Sequence, residues 1–232
     1  MNKAILFFVV FFVITTIPFN VQASAPDGEF PEDIAARVQS RYDRMASLSF
    51  AFHQETVGEI TGRNQKGSGH AFFLKDNSAP KMRWNYELPN RQVLLGDGKL
   101  FSMYFENLQQ MIVTPAENLD TDLTYSFFTG KGRLLHDFHI RPPDNGIDHT
   151  KQADIAIIKL IPVIPQSQVQ DIHLFVSADS LIRRISIKDH FGTVTTINIS
   201  DIEVNALAKS SSAELDKIFS FIPPEGTEII RQ

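Results

Sequence analysis

The sequence predicts a mainly β protein, a barrel or sandwich of ten or eleven short strands in one domain. Three observations lead there. Strand-like runs recur about every 8–12 residues with turn residues between them. Within the runs apolar and polar residues alternate with period two, as in a half-buried strand. Asp97-Gly98 joins two such runs, a strong hairpin signal because glycine accepts positive φ without steric cost. There is no internal repeat, low-complexity tract or linker, so residues 24–232 read as a single domain.

Residues 1–23 read as a cleaved signal peptide. Lys3 supplies the positive start, 4–17 is a nearly unbroken apolar run, and Val21-Gln22-Ala23 places small residues before the expected cut. The apolar run is too short for a good membrane-spanning helix. Removing Lys3 with the leader changes the formal charge from −5 to −6. That mild acidity gives no support for nucleic-acid binding. The chain has no cysteine, which excludes a disulfide framework, a thiol nucleophile and a lipidated N-terminal cysteine. The exported chain is therefore expected to be soluble and held by its own core.

From Glu32 the period is helical: Ile34, Val38, Tyr42 and Met45 share one face, and Pro31, Glu32 and Asp33 suit its first turn. Residues 49–57 alternate, with Phe50 and Phe52 opposite His53 and Glu55; 58–67 reads as a hairpin loop, and 69–75 returns as a strand carrying Phe72, Phe73 and Leu74. Strands follow at 81–88, 91–95, 99–105 and 109–114. The first sets Met82, Trp84 and Tyr86 on one face; the third does the same for Phe101, Met103 and Phe105. Around 120–128 the spacing of Leu119, Leu123 and Phe127 predicts a short helix, with Asp120 or Thr121 as N-cap and Gly130 ending it. Strands are then predicted at 135–140, 153–161, 169–177, 181–188 and 193–202, and a helical turn at 210–217.

The sequence carries little catalytic chemistry. His136 and His139 have helix-face spacing but fall in a predicted strand, where i and i+3 point to opposite faces. The run Asp144-Asn145-Gly146-Ile147-Asp148 lacks the length and terminal glutamate of a calcium loop and reads as a solvated loop. There is no nucleophile elbow, phosphate loop or dinucleotide fingerprint. Neither enzyme activity, a metal nor a cofactor is expected. The large apolar faces remain, with two readings. They are a packed core, or the wall of a cavity of the kind that small barrels use for apolar ligands.

The residues in order resemble the LolA family of periplasmic lipoprotein carriers. The match includes the amphipathic helix leading into Phe50-Ala51-Phe52-His53-Gln54, then Gly67-x-Gly69 with its aromatic strand. It continues through Met82-Arg83-Trp84-Asn85-Tyr86-Glu87-Leu88-Pro89, Asp97-Gly98-Lys99 with Tyr104, the central helix, and a terminal Phe219-Ser220-Phe221-Ile222-Pro223-Pro224-Glu225-Gly226. The Arg-Trp-x-Tyr block together with the terminal block is the most specific part. The resemblance implies an incomplete, unclosed antiparallel β-barrel of about eleven strands with short lid helices and an apolar cavity for acyl chains. It implies a monomeric periplasmic chaperone of a Gram-negative cell, without cofactor or catalysis. Such a carrier takes acylated lipoproteins from an inner-membrane ABC release complex and passes them to an outer-membrane acceptor. The inward lipid-binding residues expected are Phe52, Phe72, Leu74, Met82, Trp84, Tyr86, Phe101, Met103 and Phe105, with Leu123 and Phe127 from the lid. Where the family carries an arginine that holds the lid, this chain reads Leu74-Lys75-Asp76-Asn77-Ser78-Ala79-Pro80, with Lys75 the nearest cation. Carriage of another exported lipid in the same fold, and a non-lipid envelope interaction module with a packed core, are the alternatives.

Overall fold

The computed structural model describes residues 29–59, 62–75, 79–119, 127, 132–146 and 154–232. The expected leader, Leu123 and most of the expected 120–128 helix lie outside these residues. The first element of the described residues is helix α1 (Pro31–Asp43), followed by β1 (Ser47–Val57), β2 (Asn64–Leu74), β3 (Lys81–Leu88), β4 (Gln92–Gly96), β5 (Leu100–Phe105) and β6 (Gln110–Pro115). A short helix α2 (Leu134–Asp137) leads into β7 (Phe138–Arg141), β8 (Ile155–Pro162), β9 (Asp171–Ser177), β10 (Ile182–Lys188) and β11 (Val194–Val204). Helix α3 (Ser212–Phe219) and β12 (Glu228–Arg231) close the chain.

All twelve strands form one sheet in the order β12-β6-β5-β4-β3-β2-β1-β11-β10-β9-β8-β7. The pairs are antiparallel except β12, which runs parallel to β6. Among the described residues β12 and β7 are edges that do not meet, so the barrel is unclosed.

Helix α1 covers the inner face of the sheet. Its apolar stripe buries Ile34, Ala35, Val38 and Tyr42 against β7 and β8. The Tyr42 hydroxyl accepts a hydrogen bond from the Ile182 amide at 3.2 Å. The surrounding inner face on β8–β11 is aliphatic, with Ile158, Leu160, Val176 and Ile182 almost fully buried. The outer face carries a second, smaller core. Helix α3 starts with a capping box between Ser211 and Glu214. It lays Leu215, Ile218 and Phe219 on Phe72, Leu74, Leu95 and Leu207.

Three segments differ from the sequence expectation. Residues 134–137 are helical where a strand 135–140 was predicted. The Leu134 amide donates to Gln39 Oε1 at 2.8 Å and the Arg133 amide to Asp137 Oδ2 at 2.6 Å, so side chains take donors that a ladder would have used. His136 consequently lies in that helix and His139 on β7, both exposed. Strand β2 begins at Asn64, inside the predicted loop, because the β1–β2 hairpin stays paired out to Val57↔Asn64. Strand β12 was not predicted.

Candidate functional site

Register gathers the large inner side chains of β1–β6 into three cross-strand rows. The first runs Phe52, Gly69, Tyr86, Gln92, Phe105. The second is Phe50, Ala71, Trp84, Leu94, Met103, Ile112, and the third Leu48, Phe73, Met82, Gly96, Phe101, Thr114. Gly69 and Ala71 leave room between aromatic neighbours. A Cβ on Gly69 would lie 1.7 Å from the Asn85 carbonyl oxygen, at the bulge between Ser68 and Gly69, so only glycine fits. Phe52 then reaches Trp84 at 4.8 Å and Tyr86 at 4.9 Å between ring centroids. Phe50 meets Trp84 edge-on at 5.6 Å and Phe73 at 5.9 Å.

Burial changes along these rows. The third row is closed, with Leu48, Phe73, Met82 and Phe101 all buried. Beside it, a void of only about 10 Å³ remains between Tyr42, Met45, Leu48, Phe73, Lys75 and Phe127, no more than one water needs. The other end opens. A cleft of about 980 Å³ is walled by Tyr86, Leu94, Met103 and Phe105, with Gln54, Gln92, Lys66 and Asn90 among its polar rim. That volume is at the upper end for small-molecule sites. The Tyr86 hydroxyl donates to Gln54 Oε1 at 2.9 Å, and burial pushes its pKa up to about 12. The wall thus has a polar edge and a soft apolar floor, and among the described residues no charged side chain lies on the floor itself.

Seven of the expected residues, Phe52, Met82, Trp84, Tyr86, Phe101, Met103 and Phe105, therefore share one face. Phe127 packs on Tyr42 at 5.0 Å, at the closed end. Phe72 and Leu74 are corrections: they point to the opposite face, under α3. The inward residues of β2 are instead Phe73 and Ala71. The run Ala71-Phe72-Phe73-Leu74 is apolar on both faces because both are covered, so its alternation does not mark the inner one. Phe73, Phe50 and Leu94 were missed as wall residues. The pairing Phe73↔Met82 would have identified the first, and Phe50 already shared a face with Phe52.

Two cations tie the elements around this wall. Lys75 Nζ donates to the Tyr42 carbonyl at 2.7 Å and the Asp43 carbonyl at 3.5 Å, capping the C-terminus of α1 where the helix dipole favours a positive charge. Burial lowers its pKa, opposed by the Asp43 carboxylate. On the outer face Arg83 Nη1 donates to the Ile218 and Ser220 carbonyls at 2.7 and 2.9 Å. Its guanidinium lies 6.0 Å from the Phe221 ring, and Phe221 packs on Tyr104 at 5.0 Å. The two sequence blocks that carry the resemblance, around Arg83 and around Phe221, are therefore in contact.

The family model described as outer membrane lipoprotein carrier protein LolA matches residues 43–212. An outer-membrane lipoprotein carrier protein of Nitrosomonas europaea is 24% identical over 226 residues, covering 97% of this chain and 98% of its own. One from Chromohalobacter salexigens is 26% identical over 219 residues, covering 93% and 92%. Among solved structures, an uncharacterized conserved protein from Thermus thermophilus superposes with a TM-score of 0.51 at 13% identity, covering 87% of this chain and 98% of its own. That likeness is one of fold. With its model matched over most of the chain and relatives aligned nearly end to end, the chain belongs to the LolA family of outer-membrane lipoprotein carriers.

Proposed function

We propose that this chain is a soluble periplasmic carrier that shelters the acyl chains of lipoproteins on the inner face of its sheet and conveys them from the inner to the outer membrane. The observation that carries the reading is the cleft of about 980 Å³ at the open end of the aromatic wall. An acyl chain cannot cross water exposed, and a wall of Tyr86, Leu94, Met103 and Phe105 removes it from solvent. Each buried methylene contributes about 0.8 kcal/mol, so burying about eight gives roughly 6 kcal/mol before ordering costs. Methionine and aromatic side chains adapt to a flexible chain without a fixed pattern of hydrogen bonds. The reaction is transfer without a bond change, and no residue is assigned a catalytic role. The donor is an inner-membrane ABC release complex and the acceptor an outer-membrane protein, by family. Residues 1–23 direct export and are removed.

The test is native mass spectrometry of the untagged protein purified from cell envelopes, with binding of a diacylated peptide measured in parallel. We expect a co-purifying acylated polypeptide and at least tenfold weaker peptide binding for Met103→Asp, which sets a charge on the apolar floor. Recovery of a non-protein lipid instead would reassign the cargo. A stably empty protein with no affinity for any acylated peptide would overturn the reading.

A further inference from the structure

A cluster on the outer face of β8 and β9 plays no part in the cleft. Asp171 and His173 lie two apart on β9 and so point to the same side, Lys159 faces His173 across the β8–β9 ladder, and Asp144 reaches over from the loop after β7. Asp171 and His173 are both more than nine-tenths buried. Lys159 Nζ donates to both oxygens of Asp144 at 2.7 and 2.8 Å and stands 3.5 Å from Asp171 Oδ2. That leaves two buried atoms without a hydrogen bond, Asp171 Oδ1 and His173 Nε2.

The ring of His173 is flanked by carboxylates on both sides. Nδ1 is 3.5 Å from Asp171 Oδ1, and Nε2 is 3.5 Å from Asp144 Oδ2. A neutral imidazole has one N–H and one lone pair. Whichever nitrogen carries the proton, the other aims its lone pair at a carboxylate oxygen. Only a second proton or a cation relieves that contact. Lys188, paired with Asp171 across the β9–β10 ladder, adds positive potential without reaching ion-pair distance of either carboxylate.

We infer that Asp144, Asp171 and His173 form a binding site for a divalent transition-metal cation of the zinc class. One ligand atom from each lies within 4.8 Å of the others. Two tetrahedral ligands of one zinc stand about 3.4 Å apart, given bonds of about 2.0–2.2 Å, close to the 3.5 Å at either edge of the ring; a single ion takes one ring nitrogen and so uses one of those edges, with the other carboxylate drawn in from within 4.8 Å. The imidazole nitrogen selects zinc and its transition-metal neighbours over calcium and magnesium. Lys159 holds Asp144 in the absence of the ion and competes with it. This inference is independent of the lipid reading, since the cleft lies on the other face and among other strands.

The test is a titration of the full, untagged chain with Co²⁺, followed by its ligand-field absorption and by displacement with Zn²⁺. The expected result is saturation at one equivalent, lost in His173→Gln and in Asp171→Asn. Lys159→Met, which removes the competing ammonium, should bind about tenfold tighter or more. Each variant is checked for an unchanged urea midpoint and acyl-peptide affinity, so that loss of binding is not loss of fold. Three results would overturn the inference: no binding in either the wild type or Lys159→Met, binding that survives His173→Gln, or an NMR titration in which His173 becomes doubly protonated near neutral pH and ignores added Zn²⁺.

Discussion

The two halves of the inner face solve the same problem differently. On β8–β11 the sheet presents Ile158, Leu160, Val176, Ile182 and their neighbours, and α1 seats on them until almost no space is left. On β3–β5 it presents Trp84, Tyr86, Leu94, Met103 and Phe105, and the rows run out into an open cleft. Branched aliphatic side chains have few rotamers and pack to a fixed surface. Methionine and aromatic rings give a larger wall that tolerates different occupants. One half is completed by the protein's own helix; the other is left open, and under the proposed carrier function the cargo completes it. That proposal assigns stability and binding to different parts of the sheet's width.

The largest expected contrast tests that separation directly. Ile158, fully buried in the closed half, should lose about 2–4 kcal/mol when changed to Ala. Met103→Ala at the cleft should lose less than about 1 kcal/mol and weaken acyl-peptide binding instead. Urea denaturation with a binding titration on each variant measures both. Equal destabilisation would mean that the cleft half is ordinary core.

The two halves also each hold a tyrosine with a late titration. Burial pushes both Tyr42 and Tyr86 up to about 12. The folded pKa lies above the usual 10, so the unfolded chain releases these protons first. The associated stability is intact below pH 10 and is lost as pH rises toward 12, by about 2–3 kcal/mol for each tyrosine. Urea midpoints should fall through that window, and Tyr42→Phe and Tyr86→Phe should each flatten the fall. Acyl-peptide binding should delay the tyrosinate absorbance of Tyr86 and leave Tyr42 unchanged, which would distinguish the open half from the closed one.

Gly69 tests how the aromatic wall is assembled. A methyl group there meets the Asn85 backbone oxygen, so Gly69→Ala should destabilise by about 1–3 kcal/mol. It should also shift the near-ultraviolet circular dichroism of Trp84, because Phe52 and Trp84 meet beside it. An unchanged spectrum would show that the wall does not depend on this close approach.

Much of this arrangement is legible in the sequence where the information is local. Strand β3 falls where its alternation predicts, the Asp97-Gly98 turn joins β4 to β5, and α1 follows its apolar stripe. The misses arise where distant partners decide. The segment Glu228–Arg231 becomes β12 because the β6 edge accepts it, and nothing in those four residues requires a strand. Leu134–Asp137 turns helical because the side chains of Gln39 and Asp137 take its first amides. Phe72 and Leu74 were misplaced because α3, 130 residues or more later in the chain, covers the second face of β2 and erases the polar half of its alternation. The seven wall residues on β1, β3 and β5 were legible because those strands kept a clear period.

Lys75 joins the two halves, and changing it is the smallest effect we predict. It sits at the end of β2, next to the closed row, and holds the last carbonyls of α1. The family resemblance places an arginine near this position, with a planar fork that a lysine lacks. The geometry shows what the lysine does instead: a single ammonium caps the helix that fills the closed half. Replacing it with Met keeps the aliphatic stem and removes the charge, which should cost about 0.3–1 kcal/mol in global stability. The local effect should be more informative. Amide exchange should quicken in the last turn of α1 and in Met45, while β3–β5 stay protected, because opening there is sub-global. If α1 is the element that moves to admit cargo from the closed side, Lys75→Met should also speed acyl-peptide association without changing the contacts of the cleft wall. Uniform exchange across both halves would instead show that α1 and the sheet open as one unit, and that Lys75 is a cap and no more.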